Sequence, residues 1–436
     1  MVSLRLQSHP QWSATRATHD GLDGNFSGLF TGLQDRDLVI VLRPGDVLLP
    51  YAFSAVAKYA TDHPGADIIY GDEESIDRQG KYIDPELKPD WSPIFQAERP
   101  YVGRAVFRRR SLMVVNSSDL WPRVEGDTKS VRHVRRVLLT KGVTAGKEEQ
   151  PKPRYPKSTE PQLATTVFAT IIIPTKDRPD LLFGCLSSLR ATQGSFEVLI
   201  VDNGDMQAAM KVQCETILEG RPVRILPRPG PFNFSRICND AAVVAKGNIL
   251  VFLNDDTIVT QADWLSRLSA WATDEACGAI GPKLLYPSGQ VQHGGLVIGL
   301  GGYAAHIEAG APGDDPGYHQ RLEVTHEVSA VTGACLAVEK SKFDKVCGFD
   351  AEKFPVELGD IDLCLRLAKA GWKTVVVPEV SLVHRESASR GRSINLQERH
   401  AWERENFLAA WSDRVRDDPY FHPALSLNSL RTRLDG

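Results

Sequence analysis

Three apolar runs in this chain end abruptly in acidic residues, and those acids are the side chains best placed to do chemistry. The runs lie in ATIIIPTKDRP, VLIVDNGD and ILVFLNDDT, and they deliver Asp177, Asp202, Asp255 and Asp256. Such runs read as buried parallel strands, whose C-terminal ends open onto a ligand crevice. Carboxylates gathered there repel one another unless a cation or a proton sits among them. The pattern points to a divalent metal and to chemistry on a phosphate-bearing ligand. A fourth piece, ELGDIDLCLR, sets Asp360 and Asp362 two residues apart at the start of a helical pattern. At that spacing on a helix the two side chains face different directions. One can point to a substrate while the other braces the helix N-terminus, where negative charge is favoured.

The elements that must position these residues alternate. Ala169–Pro174, Phe196–Asp202, Val223–Pro227 and Ile249–Leu253 read as strands. Arg178–Ala191, Met206–Glu219, Asn233–Ala245 and Ala262–Ala272 read as the helices that follow them. Repeated βα units with short connections imply an α/β fold, a parallel sheet with helices on both faces. After Ala279 the pattern becomes that of a more mixed sheet, with strands expected at Leu296–Gly299, Ser329–Val338, Thr374–Pro378 and Val380–Val383. A helix is expected at Asp360–Ala370, and an amphipathic one at Gln397–Ala410 docking Trp402, Phe407 and Leu408. Upstream, Leu38–Leu42, Asp67–Tyr70 and Val102–Arg108 read as strands and Tyr51–Thr61 as a helix. DLVIVLRPGDVLLPYAFSAVAKYA has the same strand–acid–helix layout as NILVFLNDDTIVTQADWLSRLSAWA, an imperfect internal repeat. A proline- and charge-rich stretch without apolar period, residues 146–165, reads as a linker between an N-terminal region, 1–145, and a C-terminal one, 166–436.

Composition sets outer bounds. The 436 residues carry a formal net charge of −4, which gives no global basic field to attract nucleic acid. No apolar run approaches the roughly 20 residues needed to span a bilayer, and residues 1–20 lack the apolar core of a signal peptide. The seven cysteines are odd in number and show no CxxC spacing, which argues against structural zinc and a disulfide framework and for a reducing cytoplasm. Arg99, Arg104, Arg108–Arg110, Arg132, Arg135, Arg136 and Lys141 make the N-terminal region locally basic. That basic set is either a solvated face or a peripheral contact for anionic lipid headgroups on the cytoplasmic side of a membrane.

From about Ala169 to Leu427 the chain resembles glycosyltransferase family 2, the GT-A fold, and within it the bacterial polysaccharide and rhamnosyltransferase branch. IIIPTKDRPDLL, VDNGD, FNFSRICNDAA, GNILVFLNDDT, TGACLAVEKSKFDKVCGFD, LGDIDLCLR, VSLVHRESASRG and DPYFHPALS carry the likeness, in the family's order. Two positions depart from the family's pattern: Asn254 stands for the first Asp of its DxD motif, and Gly359 for the acidic or amide residue before its base. GDEESID, LKPDWSP and YVGRAVFRRRSL extend a weaker likeness to the N-terminal region, which reads as a degenerate, non-catalytic half-module too short for a nucleotide-binding portion.

The resemblance implies roles. Asp256 and His384 would hold Mn²⁺ or Mg²⁺; a hard ion prefers carboxylate oxygen, and Mn²⁺ also accepts histidine. Asp360 would be the general base. Pro174, Thr175, Asp177, Asp202, Asn233, Arg236, Asn239, Asp255, Arg385 and Arg390 would bind a nucleotide-sugar donor, the two arginines from a loop, Glu386–Ser393, that could order as a lid. His293, Gly294, Thr332, Gly333 and Asp362 would lie on the side of a glycan or lipid-linked glycan acceptor, with Gln292 and Gly295 beside them. Each has a plainer reading: Asp pairs after strands cap helices, Asp177 and Asp202 suit ordinary turns, and Asp360 and Asp362 suit a helix N-terminus. The implied activity is inverting, metal-dependent transfer from dTDP-rhamnose or a UDP-hexose to a surface polysaccharide such as O-antigen. A sugar nucleotidyltransferase is a rival, but IIIPTKDRPD offers one lysine and no glycine for a phosphate loop. A non-catalytic carbohydrate-binding scaffold is the other.

Overall fold

A computed structural model describes residues 4, 6–14, 32–77, 79–112, 130–142, 167–385 and 400–434. The expected linker, the Glu386–Ser393 loop and Arg390 lie outside the described residues. The chain forms two compact units. One is Met1–Tyr155 together with Phe421–Leu425, and the other is Pro156–Tyr420 with Ser426–Gly436.

The first unit is built on strands β1 (Leu38–Val39), β2 (Val47–Leu48), β3 (Ile68–Ile76), β4 (Tyr82–Glu86), β5 (Val106–Arg109) and β6 (Val131–Lys141), with helices α1 (Ala52–Asp62) and α2 (Pro93–Glu98). Its sheet runs β1-β5-β3-β6-β2, with β4 on β3. Only the β3–β6 pair is parallel. Strand β6, VRHVRRVLLTK, hides behind its basic residues: Val131, His133, Val134, Leu138 and Leu139 are buried, and the last three help form the core with Ile69 and Phe107. Arg135 is paired with Asp90 (2.6 Å), and Lys141 with Glu86, so these cations answer acids of their own unit. Lys88 is fully buried against Glu73 (2.9 Å) and also donates to the carbonyls of Gly71 and Val102.

The second unit contains β7 (Phe168–Thr175), α3 (Pro179–Ser188), β8 (Ser195–Asp202), α4 (Ala208–Ile217), β9 (Val223–Pro227), α5 (Phe234–Val244), β10 (Ile249–Leu253), β11 (Thr257–Ile258) and α6 (Trp264–Thr273). There follow β12 (Cys277–Leu285), β13 (Val291–His293), β14 (Leu296–Ile298), β15 (Ala304–His306), β16 (His326–Val328), β17 (Cys335–Glu339), α7 (Lys340–Lys345), α8 (Gly359–Lys369), β18 (Lys373–His384) and α9 (Ala401–Arg416). The main sheet is ordered β11-β18-β12-β17-β10-β7-β8-β9. β10, β7, β8 and β9 are parallel to one another, and the antiparallel β17 makes the sheet mixed. β7, β8 and β10 are almost wholly buried aliphatic runs, as strands covered on both faces must be.

Several elements differ from expectation for identifiable reasons. Thr374–Pro378 and Val380–Val383 join into one strand, β18. Its register against β12 slips between the Pro282–Val377 and Lys283–Ser381 pairs, and that irregularity accommodates Pro378, which has no N–H for a ladder. Ser329–Val338 yields only β17, because Thr332–Ala334 turns, with Cys335 N donating to the Thr332 carbonyl (3.3 Å). On α9 Phe407 is buried, but Trp402 and Leu408 are exposed. The second anchor is Trp411, one turn from Phe407 on the same face.

The internal repeat in the sequence is an architectural one. The order β1-β5-β3-β6-β2 of the first unit matches β10-β17-β12-β18-β11 of the second, pair by pair and sense by sense. β4 on β3 likewise matches β13 on β12. The first unit has no counterpart of β7, β8 and β9 among its described residues.

Candidate active site

The site begins where the parallel strands stop. Thr175 ends β7, and Asn254, Asp255 and Asp256 follow β10 beside it. Thr175 Oγ1 donates to Asp255 Oδ2 (2.7 Å), tying the two strand ends together. Burial pushes the Asp255 carboxyl up to about 6; the Thr175 bond opposes this, and the neighbouring Asp256 charge adds to it.

Asp256 meets the far end of the sheet. Thr257 on β11 sits opposite His384 on β18, and Arg385 N donates to the Asp256 carbonyl (3.0 Å). This register brings Asp256 Oδ1 to 3.0 Å from His384 Nε2. The other ring nitrogen, Nδ1, lies 2.7 Å from Gln292 Oε1. A carbonyl oxygen there accepts from Nδ1–H, so in the neutral ring Nε2 is the nitrogen that turns a lone pair toward the carboxylate. Asp256 Oδ1 is buried and accepts no hydrogen bond among the described residues. Two lone pairs facing each other at this distance call for a shared cation or proton. A carboxylate oxygen beside an imidazole nitrogen is a donor set that suits Mn²⁺, and the spacing fits neighbouring ligands of one ion. Among the described residues no group of three His, Cys, Asp or Glu side chains converges as a metal site. What the described residues offer is this pair.

Asp360 is fixed from the other side. Leu358 takes a left-handed backbone conformation (φ 62°) ahead of α8. A Cβ on Gly359 would stand 2.7 Å from Ser235 Oγ and 3.1 Å from the Phe354 carbonyl, which explains glycine at this departure from the family pattern. Asp360 then accepts hydrogen bonds from Gly333 N (2.6 Å) and Ile361 N (2.9 Å). Asn254 N donates to the Ala334 carbonyl (3.0 Å), and Thr332 Oγ1 accepts from Ala334 N (3.3 Å). The turn Thr332–Ala334 therefore links Asp360 directly to the segment that carries Asp255 and Asp256.

Other sequence candidates are engaged by the chain itself. Asp202 accepts from Gly204 N (2.9 Å) and Met206 N (3.0 Å), shaping its own turn. Asp177 is exposed, with φ 52°, and leaves no room for a Cβ on Gly204. Asn233 caps α5 through Arg236 N (2.8 Å) and donates to the Ala351 carbonyl, and Asn239 brackets the Phe349 backbone. Asp362 is buried between Arg366 Nε (2.7 Å) and Trp411 Nε1 (3.0 Å), bracing α8 against α9. His293 is fully buried, with Nδ1 2.8 Å from His306 Nδ1, and burial holds its ring neutral. Gly294 lies against Leu322 with no space for a side chain, and Pro174 is buried within β7. Arg236 and Arg385 are exposed. The links from Thr175 to Asp255 and from Gln292 to His384 were not foreseen. The latter spans 92 residues, and the sequence shows only a glutamine between Val291 and His293, with nothing local to name its partner.

Residues 170–346 match the profile of Glycosyl transferase family 2. The chain is 32% identical to the uncharacterized protein y4gI of Sinorhizobium fredii, over 92% of this chain and 49% of that protein. It is 32% identical to the O-antigen biosynthesis protein RfbC of Myxococcus xanthus, over 97% of this chain and 36% of that protein. It is 27% identical to the N-acetylglucosaminyl-diphospho-decaprenol L-rhamnosyltransferase of Mycobacterium tuberculosis, over 52% of this chain and 79% of that protein. The chain thus spans half or less of the length of the first two relatives. The second unit, with its parallel strands β7 to β10 continued by antiparallel β17, has the GT-A fold, and residues 170–346 are a glycosyltransferase family 2 domain.

Proposed function

We propose that the second unit transfers a sugar from a nucleotide sugar to a growing surface polysaccharide or lipid-linked glycan, with inversion at the anomeric carbon. The observation that carries this reading is the buried Asp256–His384 pair beside Asp255, with Asp360 held by the Thr332–Ala334 turn that also binds Asn254. Asp256 and His384 would hold Mn²⁺ or Mg²⁺, and the ion would neutralise charge on the departing diphosphate. Thr175 positions Asp255, and the family resemblance assigns the donor to this strand end. Asp360 takes the proton of the acceptor hydroxyl as its oxygen bonds to the anomeric carbon. The bond from that carbon to the phosphate oxygen breaks, and the nucleoside diphosphate leaves. The likeness to an L-rhamnosyltransferase supports a rhamnosyl donor, which we take to be dTDP-rhamnose, with a UDP-hexose second.

The first unit takes no part in this chemistry. Its counterpart of Asp256 is Asp46, and the matching strand registers set Thr140 where His384 stands. Asp46 is paired instead with Arg104 (3.1 Å) and accepts from Arg43 N (3.0 Å). A guanidinium already occupies the cation's place. No helix among the described residues is long and apolar enough to cross a membrane. Seven free cysteines, six of them buried, accord with a reducing cytoplasm as the place of action.

Purified protein incubated with Mn²⁺, an acceptor extract and a panel of nucleotide sugars tests the reading by nucleoside diphosphate release. Metal-dependent release from one donor supports it. No release and no metal-dependent nucleotide binding with any donor would favour a scaffold instead.

A further inference from the structure

Gln292 belongs to β13, which is separated from β18 by β12, yet its side chain reaches the last residue of β18. The strand that carries it is held tightly. Val291 N donates to the Ala311 carbonyl and Gly310 N to the Val291 carbonyl (both 2.8 Å), so the backbone on one side is pinned. On the other side Gly294 has no space for a Cβ, and Gly295 takes φ 115° with Val328 where its Cβ would be. Gln292 itself is buried. Its Oε1 faces His384 Nδ1 at 2.7 Å, and the opposite ring nitrogen faces Asp256 Oδ1 at 3.0 Å. A neutral imidazole carries one N–H, so whatever accepts at Nδ1 decides that Nε2 is the free ligand.

We infer that Gln292 is a positioning residue that sets the tautomer and ring orientation of His384, so that Nε2 is presented beside Asp256 to a divalent cation. The inference rests on the proposed metal role of that pair and adds to it a residue that touches neither the ion nor a substrate. An amide acceptor fixes the ring through its bond from Nδ1–H. A carboxylate at the same place would accept the same proton with a stronger, charge-assisted bond. An apolar side chain would leave the Nδ1 proton without this acceptor.

Mn²⁺ alone is titrated into the full chain, and free Mn²⁺ is read by electron paramagnetic resonance. Thermal unfolding is followed on the same samples. The parent binds Mn²⁺, and Asp256→Ala does not. Gln292→Leu lowers the affinity about 10- to 100-fold, the usual consequence of losing a hydrogen-bond partner of a ligating histidine, while it melts close to the parent. Gln292→Glu, which restores an acceptor, binds within about threefold of the parent. If Gln292→Leu binds Mn²⁺ as the parent does, or Gln292→Glu is as weak as Gln292→Leu, the positioning role is wrong while the metal site stands. If the parent itself binds no Mn²⁺, the metal role of Asp256 and His384 fails first, and this inference with it.

Discussion

Gly359 gives a physical reason for what looked in the sequence like a lapse from the family pattern. Ser235 Oγ and the Phe354 carbonyl occupy the space a side chain would need. Gly359→Ala must shift one of them or move the start of α8, and overpacking of this kind costs about 1–3 kcal/mol. Because Asp360 is the next residue, the variant is expected to lose turnover more steeply than its melting temperature falls, a comparison that activity and calorimetry make together. Lys88 poses a second, independent test. Burial alone would raise the Glu73 carboxyl, but Lys88 and Lys141 hold it below the usual carboxylate range. Lys88→Met leaves that buried charge without its main partner, and breaking a buried pair on one side costs about 3–5 kcal/mol. Urea unfolding of the first unit should show the loss, with nucleoside diphosphate release by folded protein unchanged. A loss below about 1 kcal/mol would mean that Glu73 simply takes up a proton.

Strands and helices were legible where one physical signal dominated. β7, β8 and β10 announced themselves as aliphatic runs cut off by acids, and α5 as the helix expected between two strands of the alternation. β6 was not legible, because the arginines of VRHVRRVLLTK suggested a solvated face while Val131, His133, Val134, Leu138 and Leu139 packed inward. β18 was split in reading at Pro378, since sequence alone cannot show that a register slip frees that residue from the ladder. Within the candidate site, the acids at strand ends could be read locally. The pairing of Asp256 with His384 came only through resemblance, and Gln292 and Thr175 gained their partners from sheet order. One element carries a pH prediction. His326 on β16 is buried, and burial with the nearby Arg321 pushes its ring down to about 3. A base whose folded pKa lies below its unfolded value, about 6.5, gives its full stability above that value. Below it the unfolded chain gains a proton that the folded chain refuses, so stability falls as pH drops toward about 3. The slope is up to ~1.4 kcal/mol per pH unit. Urea titrations at about pH 7 and about pH 5.5 should show this loss in the parent and less of it in His326→Asn; equal slopes would contradict the assignment.

The chain carries one half of a sheet twice. Both units share the pairing of five strands, but among the described residues only the second adds the parallel strands β7, β8 and β9 and keeps a histidine opposite the residue after its acidic pair. In the first, Arg104 holds Asp46, so a fixed cation stands where the proposed function puts an exchangeable one in the second. The whole molecule should therefore bind a single Mn²⁺, lost in Asp256→Ala and retained in Asp46→Ala; two equivalents in the parent would refute this division. In the proposed reaction Asp256 serves the metal and donor while Asp360 serves the acceptor. Measuring Mn²⁺-dependent nucleotide binding and turnover side by side for Asp256→Ala and Asp360→Asn separates the two roles. Asp256→Ala should lose both. Asp360→Asn should bind as the parent does and turn over about 10²- to 10⁴-fold more slowly, the range of a lost general base. Parent-like turnover in Asp360→Asn, or undiminished metal-dependent binding in Asp256→Ala, would contradict it.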